Sequence, residues 1–115
     1  MIWIKIFPAN ILESADFIRL LNVAGKKLCA VKIDDEIFVV QSKCPHAGAD
    51  LSQGFCKEKK LICPYHRYEY DLRTGRGAEG QNNYIETYPV EVRTDGVYVG
   101  IKEKWTFLKN LFRIE

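Results

Sequence analysis

The stretch ICPYHRYEYD, Ile62 to Asp71, sets a cysteine, a proline and a histidine into one short turn. A near copy, CPHAG, stands at Cys44 to Gly48. Written out, the pair is Cys44-x-His46 and Cys63-x-x-His66, with sixteen residues between His46 and Cys63. Together they use both histidines of the chain and two of its four cysteines. Pro45 and Pro64 each follow a cysteine and stiffen the turn by fixing φ. Gly48, Gly54, Gly75 and Gly77 allow tight backbone around the two turns.

The sequence on either side reads as short strands. WIKIF alternates Trp3, Lys5 and Phe7 against Ile2, Ile4 and Ile6. FIRLLNV ends at Ala24-Gly25, and KLCAVKID and EIFVVQS form a hairpin across Asp34-Asp35. KLIC and YEYDL flank the second Cys-Pro turn. TYPVEVRT and GVYVGI are joined at Asp95-Gly96, the strongest hairpin signal in the chain. NILESAD reads as a helical turn, and CKEKK, around Cys56, as a solvated loop. Trp105, Leu108 and Phe112 recur at helical spacing, which predicts a short amphipathic helix from Lys102 to Phe112. The expected fold is all-β, an antiparallel sandwich or barrel with the two turns at one end.

The chain has 115 residues, enough for one modest core. Net charge is +2, from 17 basic and 15 acidic residues, which makes no case for a nucleic-acid binder. No apolar run approaches the ~18 residues of a membrane span, and no targeting segment is visible. The expected home is the cytoplasm, where four cysteines are read as ligands or packing residues rather than as disulfides.

Two thiols and two imidazoles suit two kinds of centre. A zinc-stabilised binding module would use the same ligand set. Zinc knuckles more often group like ligands, whereas each turn here supplies one of each kind. A two-iron cluster asks for that mixture, with both sulfurs on one iron and both imidazoles on the other.

The boxes CPH and CPYH, with their flanks GADLSQG and YDLRTG, resemble those of the Rieske-type [2Fe-2S] proteins. The likeness extends over most of the chain, from about Trp3 to Ile101. It implies a Rieske domain over residues 1–101, followed by an amphipathic segment at 102–115. It also implies one [2Fe-2S] cluster, with Cys44 and Cys63 on the buried iron and His46 and His66 on the outer one. Replacing two thiolates by two imidazoles makes the cluster less negative, which places the family's potentials at roughly −150 to +300 mV.

The resemblance to the family's membrane-anchored, high-potential branch is incomplete. Its disulfide cysteines would fall at Ala49 and Tyr65, and its sulfide-bonding serine at Tyr68. Tyr70 matches the family's tyrosine near a cluster cysteine. The resemblance is therefore to the soluble, low-potential ferredoxins that serve aromatic-ring dioxygenases. Both histidines are already used, so none remains for the mononuclear iron of an oxygenase. The implied role is carriage of single electrons from a reductase to a terminal oxygenase, with no catalysis by this chain. A second likeness is to the small subunits of nitrite reductases, many of which lack the cluster ligands. Arg67 stands where the family usually has glycine, and reads either as a partner contact or as a solvated cation. Cys29 reads as core and Cys56 as a packing or exposed thiol. The C-terminal aromatics read as cover for the barrel, or as a docking segment.

Overall fold

Two-residue turns between β-branched runs determine the architecture, which a computed structural model describes for residues 1–46 and 48–102. The strands are β1 (Ile2–Pro8), β2 (Phe17–Val23), β3 (Lys26–Ile33), β4 (Glu36–Gln41), β5 (Phe55–Lys57), β6 (Lys60–Ile62), β7 (Glu69–Asp71), β8 (Thr87–Tyr88), β9 (Val90–Arg93) and β10 (Gly96–Ile101). They pair antiparallel in three sheets, ordered β1-β10-β9, β2-β3-β4-β8 and β5-β6-β7. Ala24 and Gly25, at φ 51° and 83°, turn β2 into β3, and the doubly left-handed turn matches the strand twist.

The four-stranded sheet lies between the other two. On one face of it, Cys29, Val31 and Val40 join Leu61, Tyr70 and Leu72 in a core that includes Cys44 and Cys63. On the other, Leu28, Ala30 and Val39 meet Phe7, Val97 and Val99. Burial on both faces explains why the middle of β3 is continuously apolar rather than alternating. The all-β antiparallel expectation holds, and the first part of NILESAD lies in a 3₁₀ turn at Ala9–Glu13.

Three local readings are corrected. CKEKK is not a free loop but a hairpin, with Glu58 and Lys59 at φ 53° and 61° in the turn between β5 and β6. Lys59 Nζ lies 3.1 Å from Glu36, which Arg73 also grips, so the turn is tied back to β4. TYPVEVRT is two strands: β8 pairs with β4 and β9 with β10. Pro89 stands at the corner, where its missing N–H costs no ladder bond, and its carbonyl accepts from Gly100 N at 2.9 Å. The last hairpin turns on Thr94-Asp95, because Gly96 is already paired with Arg93. Gly96 is there for closeness rather than for the turn, since a Cβ would lie 2.5 Å from the Phe7 carbonyl oxygen. The expected C-terminal helix and the 102–115 segment lie outside the described residues, apart from Lys102, which has no regular structure.

Gly75 closes the loop after β7. Its N–H reaches Asp71 O at 2.8 Å and its carbonyl accepts from Ile85 N at 2.7 Å. At φ 80°, an added Cβ would sit 2.1 Å from Ile85 O. Gly75→Ala should therefore cost about 2 kcal/mol or more, read as a clear drop in thermal midpoint. An unchanged midpoint would show that the loop yields freely.

Candidate metal centre

Each Cys-Pro turn is closed by its own backbone. In the first, Cys44 N donates to Ala49 O at 2.8 Å and Gly48 N to Cys44 O at 2.7 Å. Asp50 then starts a 3₁₀ turn, its carboxylate accepting from Ser52 N and Oγ at 2.9 and 2.6 Å. In the second, Cys63 N donates to Tyr68 O at 2.8 Å, and His66 and Arg67 take left-handed φ of 57° and 55°. That conformation explains why glycine suits position 67, and an arginine there carries strain. Leu61 and Ile62, both buried, root the second turn in the core.

The turns bring all four expected residues together in two layers. Cys44 and Cys63 are buried at 1% and 0% exposure, while His46 and His66 are exposed. The two imidazoles meet edge to face, their centroids 5.2 Å apart. Among the described residues, no three His, Cys, Asp or Glu side chains crowd round a single-ion position. Burial raises the Cys63 thiol above its ordinary range; the Tyr65 backbone N–H opposes that rise, and the Cys44 thiol reinforces it. Two such thiols, dry and adjacent, are poor as free groups and well suited to a metal that takes their protons. The donor set therefore fits an iron–sulfur group, with soft sulfur below and imidazole above.

Two tyrosines complete the centre. Tyr70, fully buried, brings its hydroxyl to 3.2 Å from Cys44 Sγ. Burial, and next the neighbouring Cys44, push the phenol well above its usual range, so it stays protonated and able to donate. Tyr68, half-buried, packs against the core and stacks flat on His46, 4.1 Å between centroids and 10° between planes. In the sequence Tyr68 stands out only for the serine it replaces; the stack was not anticipated. Nor were Gln81 and Asn83, whose amides link Glu69 to the Tyr70 hydroxyl. Amides in a polar loop carry no signature that would have marked them.

The Rieske [2Fe-2S] domain family matches residues 2–89, which include both turns and both tyrosines. The chain belongs to the Rieske [2Fe-2S] family. This decides between the single-metal and two-iron readings in favour of a [2Fe-2S] cluster. The Rieske chain is 30% identical over 82 residues to the ferredoxin component of the naphthalene 1,2-dioxygenase system of Pseudomonas aeruginosa, covering 70% of this chain and 79% of that one. The solved ferredoxin of carbazole 1,9a-dioxygenase from Nocardioides aromaticivorans IC177 superposes with a TM-score of 0.76 at 25% identity, covering 89% of this chain and 100% of that one. A chain in the complex of reduced oxygenase and oxidized ferredoxin in carbazole 1,9a-dioxygenase gives a TM-score of 0.74 at 28% identity, over 86% and 93% of the two chains. These relatives are electron-transfer components rather than catalysts, and this Rieske protein is an electron carrier of their kind.

The remaining cysteines lie outside the two turns. Burial, chiefly, lifts Cys29 to about 12 and Cys56 to about 11. At pH 8 about one Cys56 thiol in 10³ is ionised, so iodoacetamide should label neither residue in the folded protein within minutes. Labelling of Cys56 at the rate of a free thiol would contradict this. The linkage also has a sign. The unfolded chain releases these protons near pH 9 while the folded chain keeps them, so their contribution is full below pH 9 and fades towards pH 12.

Proposed function

We propose that this Rieske protein passes single electrons from a reductase to a terminal oxygenase, with Cys44 and Cys63 binding the inner iron and His46 and His66 the outer. The observation that carries the assignment is the layering: two buried thiols beneath two exposed, touching imidazoles. A bound cluster supplies a one-electron couple. The protein keeps water from the sulfurs, offers the Tyr70 hydroxyl to Cys44, and holds His46 against Tyr68. The imidazole edges lie at the surface, where a partner's own cofactor can approach them.

The carbazole dioxygenase complex supports an oxygenase as the acceptor, since a chain of it is similar to this one. Arg67, exposed beside His66 and without an ion-pair partner among the described residues, favours a carboxylate on the partner's docking face. A reductase as donor, a cytoplasmic setting and docking through the C-terminal aromatics are parts of the same proposal. No helix among the described residues is long and apolar enough to cross a membrane.

The assignment is tested by metal analysis. Protein made under iron-replete, anaerobic conditions should contain equal iron and acid-labile sulfide, and give a reducible EPR signal. Cys44→Ser, Cys63→Ser, His46→Ala and His66→Ala should each lose most of that signal. Zinc in place of iron would sink the proposal.

The proposal also places the protein in the low-potential branch. Ala49 and Tyr65 leave the turns without a bridging disulfide, and Tyr68 faces His46 where a serine would bond a sulfide. The midpoint should therefore fall in the lower half of the family range of roughly −150 to +300 mV. Tyr70→Phe should lower it further, by removing a donor to Cys44 Sγ. A wild-type midpoint near the top of the range, or no change in the variant, would contradict this.

A further inference from the structure

A chain of hydrogen bonds reaches the metal centre from a loop outside both Cys-Pro turns, and its direction is fixed at the far end. A backbone N–H can only donate, and Glu69 N donates to Gln81 Oε1 at 2.9 Å. Gln81 Nε2 then faces the Glu69 carbonyl at 3.1 Å, so both ends of that amide are determined. The same nitrogen donates to Asn83 Oδ1 at 3.0 Å, which turns Asn83 Nδ2 towards the Tyr70 hydroxyl at 3.2 Å. With Asn83 donating to its oxygen, Tyr70 has its proton free for Cys44 Sγ. Gly77 leaves room for the arrangement: a Cβ there would lie 2.5 Å from Asn83 Oδ1 and 2.6 Å from Gln81 Nε2.

We propose that Gln81 and Asn83 are positioning residues that aim the Tyr70 proton at Cys44 and thereby raise the reduction potential of the centre. The inference rests on the reading of Cys44 as a cluster ligand. A donor to the sulfur stabilises the electron-rich reduced state, and each upstream bond strengthens the next.

The test is redox titration of the cluster-loaded protein, followed by EPR or visible absorption. Asn83→Asp puts two acceptors at position 83, and its carboxylate takes the Tyr70 proton away from the sulfur. Its midpoint should fall towards that of Tyr70→Phe. Asn83→Leu removes the donor to the Tyr70 oxygen but leaves Cys44 as the acceptor facing the hydroxyl, so its midpoint should fall, by clearly less than that of Asn83→Asp. The added charge is controlled by the Tyr70→Phe, Asn83→Asp double variant: the aspartate should lower the midpoint much less there than in the wild-type background. Equal drops in both backgrounds, or a drop in Asn83→Leu as large as that in Asn83→Asp, would overturn the inference. If Asn83→Asp does not fold, Gln81→Glu makes the same test. It still accepts from Glu69 N but cannot donate onward, so the Asn83 amide turns over and its carbonyl claims the Tyr70 proton. A wild-type midpoint in Gln81→Glu would equally overturn it. Wild-type protein lacking iron and sulfide would instead refute the ligand assignment itself, a result visible before any titration.

Discussion

The molecule depends on one constraint: two sulfurs must be dry and two imidazoles wet, within a single side-chain layer. The sulfurs meet it by lying at the edge of the core formed by the central sheet and the β5-β6-β7 sheet. The imidazoles meet it because each turn closes on a cysteine N–H, to Ala49 O in one and Tyr68 O in the other. Closing the turns this way satisfies the backbone polar groups that burial would otherwise orphan. It also lifts His46 and His66 clear of the core. The cost is local: His66 and Arg67 sit at left-handed φ, which non-glycine residues tolerate only where the surroundings enforce it. The β6 and β7 strands, paired through Leu61↔Tyr70, provide that enforcement.

What was legible in the sequence follows from which interactions are local. Alternation and turn residues revealed β1 to β4, because a hairpin is decided by neighbours in the chain. The ligand turns were legible for the same reason, since cysteine, proline and histidine lie within a few residues of each other. The break at Pro89 was not, because continuing β8 into β9 or changing sheets depends on partners tens of residues away. The Asp95-Gly96 signal misled by one position because Gly96 answers a steric demand from Phe7 on the neighbouring strand β1, nearly ninety residues earlier in the chain. CKEKK looked like a free loop because its turn is stabilised through Glu36 on β4.

At the centre, the same division separates the four expected ligands from the residues packed and hydrogen-bonded around them. Tyr68 appeared in the sequence as a missing hydroxyl. In the structure it is a ring laid flat on His46, a contact that holds the imidazole plane and covers one of its faces. The stack fixes the plane of one of the four expected ligands. Tyr65, in the same turn as His66, is exposed, and among the described residues no second ring stacks flat on His66. The two imidazoles are thus unequal, one held by Tyr68 and the other flanked by the exposed cation of Arg67.

The two sulfurs are unequal as well. Cys63 receives its donor from the Tyr65 backbone N–H, which the turn itself supplies. Cys44 has the Tyr70 hydroxyl, a rotor that can point its proton elsewhere. A backbone donor cannot be changed without changing the fold, whereas a rotor obeys its neighbours. The amides of Gln81 and Asn83, themselves oriented by the Glu69 backbone, decide where that rotor points. The strength of the Cys44 bond can therefore be adjusted by substitutions in a surface loop, with the four expected ligands and both Cys-Pro turns left intact.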